Sequence, residues 1–168
     1  MNAEPPNARA LAGQRIFVVG FILFFIASVI AVTLWGFQVT SSVRRQAQET
    51  DVAIRSLGWL ILASTAEKGE FPIQAEALEG VASPEALPEV FAGTSIPATR
   101  QEAMAGEAPV PLQEAFEVLT VVWPPDGSLP PVIRTDGLPS GLGTLSTVNE
   151  WLLEAARRRS SGGLREGG

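Results

Sequence analysis

The chain has 168 residues and a formal net charge of −6, and it contains no histidine, cysteine or tyrosine. The absence of histidine and cysteine excludes Ser-His-Asp and Cys-His catalysis, imidazole ligands for zinc or haem, disulfides and thiolate metal sites. Acidic residues outnumber basic ones by 18 to 12, so the polyanionic backbone of nucleic acid is not an expected partner. The composition therefore predicts a protein that is not an enzyme and holds no cofactor; an enzyme that works without histidine is the less favoured alternative.

The first predicted element is a transmembrane helix at residues 15–37, which follows a leader at residues 1–14 that is expected to be disordered. No charged residue lies between Ile16 and Phe37. At 1.5 Å per residue this stretch is roughly 33 Å long, which matches a hydrocarbon core of about 30 Å. Because the stretch is longer than the apolar region of a cleaved signal peptide, we expect an uncleaved anchor.

Three small residues of this span, Gly20, Ala27 and Ala31, are predicted to lie on one helix face. Ala27 and Ala31 form a small-xxx-small pair, which permits the close approach of a second membrane helix. The alternative is that they are ordinary lipid-facing residues. The predicted partners are therefore membrane lipid and other membrane-protein subunits, which are contacted through the span and through the soluble domain.

The charges that flank the span are nearly balanced. Arg9 and Arg15 precede it, whereas Arg44, Arg45 and Arg55 follow it together with two acidic residues. A short leader with two arginines is typical of a signal anchor, which predicts a cytoplasmic N-terminus and a periplasmic C-terminal domain. Eleven arginines against one lysine indicate a bacterial protein, so the predicted location is the bacterial inner membrane.

Residues 38–68 predict an amphipathic helix that continues from the span. A stripe of apolar and small residues recurs at spacings of four and three: Val43, Ala47, Thr50, Ile54, Leu57, Ile61 and Ser64. Lys68 and Gly69 supply a favourable C-terminal cation and a residue able to end the helix. Pairing of two such helices in a coiled coil is a weaker interpretation, because Ala, Thr and Ser occupy several of the stripe positions.

Residues 69–159 predict a small domain, which makes the fold class α+β. Frequent prolines divide its first part into short pieces, and Thr99 and Glu102 fit a capping box. Residues 119–123 and 132–135 predict a β-hairpin, and Thr147 is expected to cap a final helix at residues 148–158. Arg157–Arg159 are expected to stabilise the end of that helix through its dipole, before a disordered tail at residues 160–168.

Some residues in this domain could be interpreted as sites. Asp126-Gly127 and Asp136-Gly137 could supply calcium ligands, but tight turns explain both pairs with backbone geometry alone. Glu114 and Glu117 are three residues apart and are interpreted as a solvated acidic helix face. Three tryptophans are expected to build the core, namely Trp59, Trp123 and Trp151.

A central stretch, AIRSLGWLILASTAEKGEFPIQAEALEG at residues 53–80, leads from small and apolar residues into Gly69-Glu70-Phe71-Pro72. It resembles the helix end of type IV pilins and type II secretion pseudopilins. In that family an apolar N-terminal helix continues as a soluble amphipathic helix, and a small sheet packs against it. The resemblance covers residues 14–80 and implies this topology, without assigning functional residues.

The N-terminus departs from the family's pattern, in which a Gly precedes the cleavage point and a Glu is the fifth mature residue. If Gly13 were that glycine, the fifth residue would be Val18, and the span contains no acid. Cleavage after Gly13 is therefore not expected. The sequence predicts a structural subunit of a larger envelope complex, pseudopilin-like in form. The alternative is an accessory or assembly subunit of a respiratory or photosynthetic membrane complex.

Overall fold

The structure is a computed structural model that describes the backbone of residues 8–163 and the side chains of residues 17–161 except Val90. It contains four α-helices, two β-strands and two short 3-10 helices within the described backbone. The elements in chain order are α1 (Ala8–Lys68), 3-10 helices at Ala75–Leu78 and Glu89–Phe91, α2 (Arg100–Ala103), α3 (Leu112–Val118), β1 (Thr120–Val122), β2 (Val132–Arg134) and α4 (Thr144–Gly163). The chain divides into two compact units on either side of the Val43–Arg44 bond.

The structure confirms the long apolar N-terminal helix, the antiparallel strand pair and the C-terminal helix, and it is rich in helix. The predicted ends of the helices need correction. Helix α1 begins at Ala8, so residues 8–14 are helical rather than a disordered leader. Helix α4 extends to Gly163, so residues 160–163 are helical as well. The remaining parts of the predicted leader and tail, residues 1–7 and 164–168, lie outside the described residues.

The predicted stripe on α1 is buried from Thr50 to Ser64, while Val43 is exposed. Burial here is wider than one stripe, because Ala53, Ser56 and Trp59 are buried too. In this part α1 therefore serves as the centre of the domain, with other segments packed around it. A stripe of small and apolar residues predicts the first contact face of a helix but not a second one.

The proline-rich segment, residues 72–111, is held against α1 by hydrogen bonds between α1 side chains and the backbone of the segment. Trp59 donates from Nε1 to the Pro84 carbonyl at 3.0 Å, and Arg55 donates to the Ala103 carbonyl at 2.9 Å. The Ser56 hydroxyl accepts from the Val110 amide at 3.1 Å. These bonds satisfy backbone groups that a segment with little regular structure would otherwise bury without partners.

The capping box predicted before α2 is confirmed. The Thr99 hydroxyl accepts from the Glu102 amide at 3.3 Å, and the Glu102 carboxylate accepts from the Thr99 amide at 3.4 Å. Nearer to α1, the chain forms the 3-10 helix Ala75–Leu78. Lys68 holds that turn through a 2.7 Å hydrogen bond from its ammonium to the Ala77 carbonyl.

Strands β1 and β2 pair antiparallel, with Val121 opposite Ile133. Asn149 of α4 binds both backbone groups of Ile133. Its Oδ1 accepts from the Ile133 amide at 2.9 Å, and its Nδ2 donates to the Ile133 carbonyl at 3.0 Å. The hairpin turn is also bonded to the segment that follows α1, since the Phe71 amide donates to the Gly127 carbonyl at 3.0 Å.

Helix α4 starts at Thr144, three residues before the predicted cap at Thr147. It packs closely on α1 at Gly58, where an added Cβ would overlap the Val148 side chain. The tryptophan prediction holds for Trp59 and Trp151, which are buried. Trp123 is only half-buried and packs at the edge of the core against Phe116, with ring centroids 6.4 Å apart.

Candidate functional site

The candidate site is the uncovered apolar part of α1, residues 17–43. Among the described residues, Phe17–Lys68 contains the one helical stretch long and apolar enough to cross a membrane by length and composition. Its most apolar window of 18 residues has a mean hydropathy of 2.8, and none of that window is buried. Phe17, Trp35 and Phe37 are 70–79% exposed. Such a continuous apolar surface is much larger than soluble monomers normally expose.

The hydroxyl groups in this apolar segment bind its own backbone. Ser28 donates to the Phe24 carbonyl, Thr33 to the Val29 carbonyl and Thr40 to the Gly36 carbonyl, each at 2.8 Å. Each bond reaches back four residues along the helix, a pattern common for Ser and Thr in helices. A hydrocarbon environment offers no water to a hydroxyl, so internal pairing of this kind is what a lipid-exposed helix requires.

Gly20, Ala27 and Ala31 lie in this uncovered segment and are exposed. An added Cβ at Gly20 would meet no atom within 4 Å. At about 100° per residue, the three positions fall within an arc of roughly 40°, as the sequence spacing predicts. Phe24 falls on the same face. The continuous small surface is therefore confined to the turn from Ala27 to Ala31, and packing of a second helix there stays a prediction.

No protein family, curated protein or solved structure matches the chain. Function is therefore inferred from the chemistry and geometry of the described residues alone.

The two Asp-Gly pairs lie in turns. Asp126 accepts hydrogen bonds from the Ser128 hydroxyl and, at 2.9 Å, from the Ser128 amide. These two bonds, the hydroxyl first, hold the pKa of the Asp126 carboxyl below its usual range. Asp136 and Gly137 both have positive φ. Within the described residues, no group of three or more acidic, histidine or cysteine residues is placed to hold a metal ion.

The prediction that Arg157–Arg159 end the last helix is wrong, because α4 continues to Gly163. Two of these arginines instead make contacts with other segments of the domain. Arg158 donates to the Ala92 carbonyl at 3.3 Å, and Arg159 donates to the Gly127 carbonyl at 3.1 Å. The Arg159 guanidinium also lies 5.2 Å from the centroid of the Phe71 ring. The helix is longer than predicted, which places these arginines before its last turn, and the SSGG sequence after them gave no sign of four further helical residues.

Proposed function

We propose that this protein is a non-enzymatic, single-pass membrane protein that serves as a structural subunit of a larger envelope complex. The observation that carries the proposal is the first part of α1, whose large apolar side chains are exposed and whose Ser28, Thr33 and Thr40 hydroxyls bind its own backbone. Both features are favourable in lipid, because apolar side chains leave water there and hydroxyl groups need internal hydrogen-bond partners. The buried part of α1 forms the centre of a small domain of short elements.

In its first form, the subunit is a pseudopilin-like component of a secretion or pilus machine in the bacterial inner membrane. The continuous helix Ala8–Lys68, followed by a two-stranded sheet, supports this form. The N-terminus is cytoplasmic and the domain periplasmic. In the second form, the subunit is an accessory or assembly factor of a respiratory or photosynthetic complex. The absence of an acid from Ile16 to Phe37 departs from the pilin pattern and is compatible with this second form.

Extraction of membranes with alkaline carbonate tests the membrane proposal. The protein is expected to remain in the pellet, because its uncharged span is long enough to cross the hydrocarbon core. A matched variant, Phe24→Lys with Ile30→Lys, places two charges in the span at a cost of about 2.5–3.5 kcal/mol each near its centre. This variant is expected in the supernatant. Recovery of the unaltered protein in the supernatant would contradict the proposal.

Reporter fusions after Gly168 test the orientation. A phosphatase that folds only in the periplasm is expected to be active, and a fluorescent protein that matures only in the cytoplasm is expected to be dark. The opposite pattern would place the domain in the cytoplasm. Genes for secretion ATPases or for electron-transport subunits beside this one would separate the two forms of the proposal.

Replacing Ala27 and Ala31 together with Ile is expected to preserve membrane insertion but to remove the protein from its complex in mild detergent. The span remains apolar, while the added carbon atoms hold a neighbouring helix away at a cost of about 1–3 kcal/mol. Copurification of partner subunits measures the loss. The control is Val18→Ile with Val29→Ile, which enlarges the opposite face. Equal recovery of partners with both variants would show that Ala27 and Ala31 face lipid.

A further inference from the structure

A groove runs beside α1 within the second unit of the chain, and we refer to it as the α1–α3 groove. It has a volume of about 850 Å³ and is open to solvent. One wall is formed by residues 45–53 of α1, and the other by residues 107–118, which include α3. Apolar side chains line it at Val52, Ala53, Val110 and Val118. The groove thus offers an apolar floor to an occupant.

Carboxylates surround this floor. Glu49, Glu107, Glu114 and Glu117 line the groove, against the single cation Arg45. Arg45 is paired with Glu49, at 2.9 Å between Nε and Oε1, and the Glu107 carboxylate accepts from the Gln48 side-chain Nε2 at 2.9 Å. Within the described residues, Glu114 and Glu117 form no ion pair. The groove therefore carries an excess of three negative charges, and two carboxylates on α3 are available to a partner.

We infer that the α1–α3 groove binds a cationic amphipathic helix of another protein. The apolar floor requires an apolar face, and the surrounding carboxylates require lysine or arginine on either side of it, which is how a helix recognises an acidic groove. The wall formed by residues 45–53 is about 12 Å long, which matches two turns of a helix lying along α1. This inference rests on the proposed function, since a subunit of a complex needs such a contact.

Charge also selects among occupants. The chain has a net charge of −6, so two copies repel each other at an acidic surface. A basic partner gains both electrostatic attraction and burial of the floor. The occupant is therefore a segment of a different, basic protein and not a second copy of this chain.

The test uses the full-length protein in nonionic detergent and a labelled 18-residue helical peptide of leucine, alanine and lysine. The lysines flank one apolar face of the peptide, and fluorescence anisotropy measures binding.

Glu114→Lys with Glu117→Lys is expected to weaken binding about tenfold, because two attractions become repulsions. The control Glu76→Lys with Glu89→Lys makes the same charge change on exposed residues elsewhere in the domain and is expected to change binding less than twofold. A peptide with glutamate in place of lysine is expected not to bind.

Equal weakening by the two double variants would overturn the inference, because binding would then follow net charge and not the groove. Glu114→Gln with Glu117→Gln tests the same site with less disturbance of α3, and it is expected to weaken binding by a smaller factor in the same direction. Unchanged binding with both α3 variants would also overturn it. Because the measurement is made in detergent, its outcome is independent of the carbonate extraction that tests the membrane proposal.

Cross-linking in native membranes tests the identity of the occupant. The chain has no cysteine, so Glu117→Cys provides a single site for a cysteine-directed photo-crosslinker. The cross-linked peptide, sequenced by mass spectrometry, is expected to be helical in pattern and rich in lysine or arginine. An adduct between two copies of this chain, or with an acidic segment, would overturn the inference.

Discussion

Replacing Trp59 with alanine is expected to lower the free energy of unfolding of the C-terminal domain by about 3–5 kcal/mol. The side chain is 1% exposed, and its Nε1 donates to the Pro84 carbonyl at 3.0 Å. The substitution creates a cavity beside α1 and removes a hydrogen bond that holds the proline-rich segment. Native-state hydrogen exchange of the α4 amides, in the full-length protein in detergent, measures the loss.

Trp35→Ala is the matched control, since the same side chain is removed from an exposed position in the apolar segment. It is expected to leave exchange in α4 unchanged. Trp59→Phe keeps most of the buried surface but loses the hydrogen bond, so a loss of about 1–2 kcal/mol is expected. If Trp59→Ala changed α4 exchange no more than Trp35→Ala, the domain would not depend on this contact.

Replacing Gly58 with leucine is expected to destabilise the same domain by about 3 kcal/mol, at the upper end of overpacking effects. A Cβ at this position would overlap Val148 and would lie 3.9 Å from the Ile133 Cδ1 atom. Valine is stiff at χ1, so Val148 cannot turn aside without moving α4. Protection of the α4 amides from hydrogen exchange again measures the effect.

Gly36→Leu is the control, because a Cβ there would meet no atom within 4 Å. It is expected to leave the domain unchanged. The substitutions Gly58→Ala and Val148→Ala, made singly and together, measure the contact directly. Gly58→Ala gains about 1 kcal/mol of helix propensity but overpacks against Val148. Val148→Ala removes the side-chain atoms that the new Cβ would overlap. The double variant is expected to be more stable than the sum of the two single effects predicts. Additive effects would mean that the two residues do not meet.

Local patterns predicted the features that depend on neighbours in sequence. The uncharged span, the capping box of Thr99 and Glu102, and the strands of the hairpin all follow from short-range rules of hydropathy, capping and turn formation. The contacts that join distant segments were not predictable. From sequence, Gly58 is only a residue of low helix propensity, and its contact with Val148 of α4 becomes evident only in the structure. Likewise, the sequence gives no sign that Asn149 bonds the backbone of β2.

The same distinction between local features and long-range contacts applies to the candidate site and to the α1–α3 groove. The span and its small residues were identified from composition and spacing. Glu114 and Glu117 were interpreted as a solvated face, which describes their exposure and not the groove beside them. A groove arises from two segments about 60 residues apart, and a single sequence gives no direct sign of that meeting.

The Asn149 side chain limits which edge of the small sheet can pair with a strand of another chain. By bonding both backbone groups of Ile133, it occupies the outer edge of β2 in the manner of an added strand. Since Val121 lies opposite Ile133 in the antiparallel register, its own amide and carbonyl face away from β2. A further strand can therefore join only beside β1. Open strand edges promote aggregation, so closing one edge leaves only the β1 side of this sheet available for pairing with another chain.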